Sequence, residues 1–312
     1  MSLKVLITGG AGYVGTVLTD LLLRNNFEVT VVDNLLFNNG TALIGFFKNP
    51  NFSFIKGDIR DEALMKKAVA ANDVVVHLAA IVGFPACQRD PEMAKSVNID
   101  GTKILSNLLS KEQIVIYSST GSNYGEIKDG VCTEETPLAP LSLYGRTKTF
   151  AEELFLEKNS AIAYRFATAF GLSPKMRLDL LINDFVHQAF TNKCLIMFER
   201  TFKRTFIHVD DMADSVLFAI NNSDRMKGEA FNIGGVENNF SKEEIALLIK
   251  SKIDFYLHYA EFAQDQDKRN YLVSYDKINS LGWQIKVSVE EGIEDMIKSM
   301  PALQHKNPYK NA

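Results

Sequence analysis

Leu3-Lys-Val-Leu-Ile-Thr-Gly-Gly-Ala-Gly-Tyr-Val-Gly15 is the stretch from which the rest of the chain is read. A short apolar run, Val5 to Ile7, meets Gly9, Gly12 and Gly15 at three-residue spacing. Apolar residues then recur at helical spacing: Val14, Val17, Leu18, Leu21 and Leu22. The order is strand, glycine turn, helix. One glycine permits the tight bend, one lets the backbone approach a pyrophosphate, and one lets helix and strand pack closely. The helix start, with Tyr13 and Val14, adds unpaired N–H groups and the positive end of its dipole. Taken alone, the three glycines also describe an ordinary turn.

The context outward from the turn favours a dinucleotide. A second strand, Phe27 to Val32, ends in Asp33 and is followed by Asn34. An acid there accepts hydrogen bonds from both adenine-ribose hydroxyls and repels a 2′-phosphate, which favours NAD over NADP. A short helix is expected around Leu43. The third strand, Phe52 to Ile55, leads into Gly57-Asp58-Ile59-Arg60-Asp61. Asp58, beside Ile59, stands either against the adenine or at the N-cap of the helix through Leu64 and Val69. Val74 to His77 is a continuous apolar strand of the kind found inside a parallel sheet. Its sequel, Leu78-Ala79-Ala80, is small enough for a cofactor to lie against the backbone.

An irregular loop is expected from Ile81 to Asp90, a long helix from Pro91 to Leu109, and a strand from Ile114 to Tyr117 running into Ser118-Ser119-Thr120. A polar loop covers 121–140. Ser142 to Lys158 reads as a helix with Glu152 and Glu153 solvated and Phe150, Leu154 and Phe155 buried, followed by a strand from Ala161 to Phe166. This alternation predicts an α/β fold with a doubly wound parallel sheet, whose ligands sit at the carboxyl ends of the strands. Beyond Gly171 the elements shorten. Helices are expected at Leu178 to Phe190, Asp210 to Ile220 and from Ser241, with strands near Leu195, Phe206 and Phe231. Residues 1–171 are therefore assigned to a Rossmann domain, with a later return near 205–235. Residues 172–312 are assigned mainly to a smaller mixed α/β substrate-binding domain.

The 312 residues are 46% apolar and 23% charged, with net charge -4. That composition is soluble and globular. No basic cluster points to nucleic acid and no run is long enough to span a membrane. The N-terminus enters a strand directly, without a signal peptide, and the three cysteines, Cys87, Cys132 and Cys194, show neither disulfide nor metal spacing. The expected location is the cytoplasm.

Tyr144 and Lys148 lie four residues apart at the start of a helix and project from one face. A tyrosine acting as a base near neutrality needs about three pKa units of help, roughly 4 kcal/mol. A lysine ammonium one turn away, with a nicotinamide cation, supplies it. Thr120, at the end of the preceding strand, can hold the same substrate oxygen. Tyr-x-x-x-Lys also occurs in ordinary amphipathic helices.

Together, Thr8-Gly-Gly-Ala-Gly-Tyr-Val-Gly15, Asp33, His77-Leu-Ala-Ala80, Ser118-Ser-Thr120 and Tyr144-Gly-Arg-Thr-Lys148 resemble an extended short-chain dehydrogenase/reductase of the nucleotide-sugar epimerase/dehydratase group. The likeness continues through Arg165-Phe-Ala-Thr-Ala-Phe-Gly171, Arg204-Thr-Phe-Ile-His-Val-Asp-Asp211, Leu281-Gly-Trp283 and Val287 to Ile293, so it runs nearly end to end. It implies that Tyr144 transfers the proton, Thr120 orients the hydroxyl being oxidised, and Lys148 holds the nicotinamide ribose. It also implies that Arg204 grips the diphosphate of a nucleotide sugar, that Arg269 shares that task, and that Asn183 contacts a substrate phosphate. No metal is implied; the His208-Val-Asp210 segment is structural in this family, and Cys87, in a loop expected to overhang the sugar, reads as a free, partly buried thiol without a role.

Two departures bear on chemistry. Thr168 stands where these enzymes often carry asparagine near the sugar. Gly121 and Ser122 stand where the 4,6-dehydratases place Asp-Glu, and Ser122 where the keto-sugar epimerase/reductases place cysteine. The resemblance thus implies NAD-dependent oxidation at C4 of a nucleotide-linked sugar, with the whole sequence most like the GDP-manno-heptose 4-oxidising enzymes of bacterial capsule synthesis. The alternative is an NAD-dependent C4 epimerase; a 4,6-dehydratase or a non-catalytic dinucleotide sensor fits less well. The family also implies a homodimer in which helices 91–109 and 142–158 meet their counterparts through Leu105, Leu108, Phe150 and Leu154.

Overall fold

Apolar alternation at two periods, about two residues in strands and 3.6 in helices, sorts the first half of the chain into layers. A computed structural model describes residues 3–125, 130–260 and 272–303. The order begins β1 (Lys4–Thr8), α1 (Tyr13–Arg24), β2 (Glu28–Asp33), β3 (Phe52–Lys56), α2 (Glu62–Ala70), β4 (Val74–His77) and α3 (Phe84–Arg89). It continues α4 (Pro91–Lys95), α5 (Thr102–Leu108), β5 (Ile114–Thr120), β6 (Val131–Cys132), α6 (Leu143–Asn159) and β7 (Ile162–Phe166). Then follow β8 (Thr168–Phe170), α7 (Leu181–Thr191), β9 (Cys194–Met197), β10 (Lys203–His208), α8 (Val209–Asn221), α9 (Ser223–Met226) and β11 (Ala230–Ile233). Last come β12 (Asn239–Ser241), α10 (Lys242–Lys252), β13 (Tyr256–Tyr259), β14 (Leu272–Val273), α11 (Asp276–Ser280) and α12 (Val289–Ser299).

Seven strands form one sheet in the order β11-β7-β5-β4-β1-β2-β3, every neighbouring pair parallel. β4 lies at its centre and is buried at every position, as a strand with both faces covered must be. On one face Leu18 and Leu22 of α1 and Val216 of α8 pack on Ile7, Val31 and Val76. On the other, Met65 and Val69 of α2, Leu105 of α5 and Phe155 of α6 pack on Leu6, Val75 and Val115. This is the doubly wound Rossmann arrangement. A further core gathers α7, α10 and α12 around β9 and β10, with Ile182, Val186, Ile245 and Ile293 fully buried. β8, β10 and β12 form a small mixed sheet. Among the described residues, no helix is long and apolar enough to cross a membrane.

The structure corrects several local expectations. The 81–90 loop contains α3, with proline in its first turn. Cys87 therefore lies in that helix as a free thiol, 1% exposed and donating to the Ile81 carbonyl at 3.3 Å, more deeply buried than expected. The short helix near Leu43 is a 3-10 helix, Gly40–Lys48. The long helix is interrupted by a π turn, Ser96–Gly101, between α4 and α5. That turn lets Asn98 face inward, where it accepts from Ile81 N–H at 2.8 Å and donates to Ile81 C=O and Thr147. Leu105, expected at a subunit interface, is fully buried within its own chain, and Phe150 and Leu154 are half-buried. Glu152, expected in solvent, is 1% exposed. Asp61, not Asp58, caps α2, accepting from Leu64 N–H at 3.0 Å.

Candidate active site

The carboxyl ends of β1 to β5 and β7 open onto one cavity of about 370 Å³. At its floor is the glycine turn. Gly9 has φ +74° and donates from its N–H to Val32 C=O at 2.8 Å. A Cβ on Gly9 would lie 2.7 Å from Ala79 N, and one on Gly15 only 2.5 Å from Gly9 O. Side chains are thus excluded where β1, α1 and the β4 turn converge. Gly12, Tyr13 and Val14 line the cavity beside them, at the start of α1.

Asp33 closes β2 and points into the same space. Its oxygens accept from Leu35 N–H at 2.8 Å and Ala11 N–H at 3.1 Å. Burial raises its pKa, and these two bonds hold it down in part. Each oxygen keeps lone-pair capacity for a hydroxyl. Asp58 pairs with Arg60 at 2.7 Å, accepts from Asn34 at 3.1 Å, and is held near 2, chiefly by the Arg60 hydrogen bond. Asn34, Ile59, Leu78, Ala79, Ala80 and Ser118 all line the cavity. Asn39, not singled out in the sequence, lines it too; its amide donates to Ala11 C=O at 2.6 Å and its Oδ1 is buried without a partner among the described residues. The Asn-rich run 34–40 was its only signal. Lys175 and Arg177 also border the cavity, brought there by Ser173, whose hydroxyl donates to Tyr13 C=O at 2.7 Å. This side-chain-free turn, cavity-lining acid and buried amide oxygen fit a dinucleotide.

Tyr144 and Lys148 lie at the other end, on the first turns of α6. Ser142 caps that helix through Gly145 N–H at 3.0 Å. Lys148 is 3% exposed and sits 4.3 Å from the centre of the Tyr117 ring. Burial pulls its pKa down to about 7 against the opposing pull of Glu152 and Cys87. The neighbouring His77 is held neutral by burial, down to about 3, between Thr8 at 2.7 Å and Thr102 at 3.2 Å. Thr120 ends β5, and its Oγ1 accepts from Ser122 N–H at 3.2 Å. Thr120 and Ser122 line the main cavity with Tyr144.

A small annex of about 30 Å³ continues past Thr168, which borders both spaces. Gly121 and Arg204 face the annex rather than the main cavity. Asn183 is fully buried and lines neither. Its Oδ1 accepts from Gly171 N–H at 3.0 Å, and its Nδ2 donates to Arg177 C=O at 2.9 Å. It thus ties α7 to the 171–177 segment. Arg269 lies outside the described residues. His208 caps α8 through Asp210 N–H at 3.3 Å and packs edge-on to Phe170. Among the described residues no cluster of three or more His, Cys, Asp or Glu is arranged to hold a metal.

A dinucleotide cleft with a tyrosine–lysine pair at its far end defines an NAD-linked oxidoreductase site. Residues 5–234 match the NAD dependent epimerase/dehydratase family, and the chain belongs to that family. A low-salt glycan biosynthesis protein of Haloferax volcanii is 31% identical, covering 94% of this chain and 96% of its own. A putative UDP-glucose 4-epimerase of Methanocaldococcus jannaschii is likewise 31% identical, covering 95% and 98%. Among solved structures, UDP-glucuronic acid 4-epimerase from Bacillus cereus, bound to UDP-glucuronic acid and NAD, superposes with a TM-score of 0.85 at 26% identity. That match covers 97% of this chain and all of the other. UDP-glucose 4-epimerase from Thermotoga maritima, with UDP-glucose, gives 0.83 at 27% identity, over 96% and 99%.

Proposed function

We propose that the protein is an NAD-dependent C4 epimerase of a nucleotide-linked sugar. The observation that carries this reading is the sugar end of the cavity, where Tyr144 stands with the hydroxyls of Thr120, Ser122 and Thr168 and no carboxylate occupies positions 121 and 122. Tyr144 takes the proton of the C4 hydroxyl, Thr120 orients that oxygen, and Lys148 supplies the positive charge that lowers the tyrosine's proton affinity. Bound NAD would supply a hydride acceptor for C4 and return the hydride to the opposite face of the 4-keto sugar, while Tyr144 gives the proton back to the C4 oxygen, so C4 is inverted. Arg204 in the annex, with Lys203 beside it, meets the substrate diphosphate. The sugar lies between residues 1–171 and the 172–312 part, against the small side chains Ala80, Ala167 and Ala169.

Oxidation at C4 also acidifies the C5 hydrogen. Expelling the C6 oxygen would then need a base and an acid, each worth about 10²- to 10⁴-fold. Gly121 and Ser122 supply neither, so the sugar keeps its C6 oxygen. Re-reduction is preferred to release of the ketone because the relatives named above with a stated reaction are 4-epimerases. None of them carries a heptose in its name, and the GDP-heptose expectation is set aside. The test incubates the protein with UDP-, GDP-, dTDP- and CDP-sugars and follows products by mass spectrometry and NMR. An unchanged mass with inverted C4 supports epimerisation. A product lighter by two hydrogens refutes it in favour of a dehydrogenase, and one lighter by water refutes the argument from positions 121 and 122.

A further inference from the structure

Behind the catalytic residues lies a buried polar cluster that the mechanism above does not use. Glu152 Oε1 accepts from Arg165 Nη2 at 2.6 Å and Nε at 3.0 Å. Its Oε2 accepts from the Ser119 hydroxyl and from the Asn123 amide at 3.2 Å. Arg165 Nη1 donates to the Tyr124 hydroxyl and to Glu134 C=O, both at 3.0 Å. Tyr124 in turn donates to Asn232 Oδ1 at 2.6 Å.

A buried ion pair is weak evidence for stability, because its desolvation cost rivals its attraction and well-packed apolar residues can do as well. Its placement is more telling. Ser119, Asn123 and Tyr124 bracket Thr120 and Ser122, so the cluster grips the substrate-facing turn from both sides. Glu152 also follows Tyr144 and Lys148 at four-residue intervals, on the same stripe of α6. One side chain therefore joins the two halves of the catalytic apparatus.

We propose that Glu152 is a positioning residue that, through Ser119, Asn123 and Arg165, holds Thr120 and Ser122 in register with Tyr144 and Lys148. This rests on the roles given to those residues above. Its carboxylate has a second effect on Lys148. The charged or titratable groups facing Lys148 are Glu152 and Tyr144 on α6, Tyr117 on β5, His77 on β4 and Cys87 on α3. Burial lowers the lysine's pKa, and Glu152 is the larger of the two opposing influences. Removing that charge lets Lys148 deprotonate at lower pH.

The test compares wild type, Glu152→Gln, Glu152→Asp and the double variant Glu152→Gln/Arg165→Met, each loaded with NAD. Glu152→Gln is expected to lose roughly 10- to 100-fold in kcat, as for a misplacement of about 1 Å, with sugar KM within about threefold. The pH above which NAD affinity falls should drop by about one unit. Glu152→Asp keeps the charge and should restore that pH limit while kcat stays low. Should Glu152→Gln fail to fold by circular dichroism, the double variant, which removes both partners of the Glu152–Arg165 ion pair and so leaves no unpaired arginine, takes its place and must show the same pH shift. A wild-type kcat and an unmoved limit in the folded variant overturn the proposal. So does full recovery of both in the double variant, the result a merely structural pair would give. If wild type turns over no sugar, the reaction assigned above fails, and the pH limit of NAD binding still decides the role of Glu152.

Discussion

Replacing Asp33 by asparagine should erode the choice of NAD over NADP. Asp33 ends β2 facing the cavity, fixed by Ala11 N–H at 3.1 Å and Leu35 N–H at 2.8 Å, so it cannot swing away from a ribose without breaking both bonds. A 2′-phosphate would come within about 5 Å of the carboxylate. At an effective dielectric of about 20, one pair of unit charges at that distance repels by about 3 kcal/mol. That corresponds to roughly 150-fold in affinity. Asparagine matches the shape and keeps an oxygen for one of the two backbone donors while removing the charge. Calorimetric titration of cofactor-stripped protein at pH 8 should show NAD binding at least about 100-fold tighter than NADP, and Asp33→Asn should narrow that ratio by at least about tenfold. Equal affinities in wild type, or a ratio untouched by Asp33→Asn, would refute the electrostatic argument.

Tyr144→Phe keeps the ring and removes the proton path, so NAD should still bind while turnover falls by roughly 10²- to 10⁴-fold in steady-state assays. Arg204→Ala should raise the Michaelis constant for the nucleotide sugar about 10- to 150-fold, one charge-assisted contact of roughly 1.5–3 kcal/mol; an unchanged constant removes Arg204 from the diphosphate site. His77 is held neutral down to about pH 3 in the fold. The unfolded chain binds the proton near pH 6.5, so stability falls as pH drops below that value, by about 1.4 kcal/mol per unit from this one group. Urea denaturation at pH 6.5 and 5 should therefore show His77→Gln less acid-sensitive than wild type by about 2 kcal/mol.

The parts of the site carried by local patterns could be read directly. The glycine turn, Asp33, Thr120 and the Tyr144/Lys148 pair each depend on neighbours within a few residues, and all line one cavity. What escaped depends on distant partners. Glu152 beside Glu153 reads as a solvated stretch of helix, because its counter-ion, Arg165, lies on the next strand. Asn39 and the Lys175–Arg177 segment reach the cavity only through tertiary contacts. Asp58 and Asp61 both suit a helix N-cap; the helix starts at Glu62, so the nearer acid wins and Asp58 turns to Arg60. The π turn at Ser96–Gly101 has no local signature, since the sequence favours helix throughout and the extra residue is imposed by Asn98 meeting the Ile81 backbone.

The way the chain closes its main sheet governs how it can be made. α1 buries Leu18 and Leu22 in the same core as residues of α8, against which it packs, and β7 gains its outer neighbour only with β11. A ribosome adding about 5–20 residues per second needs roughly 10 to 40 s to travel from α1 to α8. Throughout that interval the first helix lacks its cover by α8, and from the synthesis of Ile162–Phe166 until β11 follows, the outer edge of β7 is open to pairing with another chain. The amino-terminal half is thus not a portable cofactor-binding cassette. Cutting after residue 171 would strand an apolar face and a bare edge together, and the nascent protein must be shielded until residue 233 has emerged.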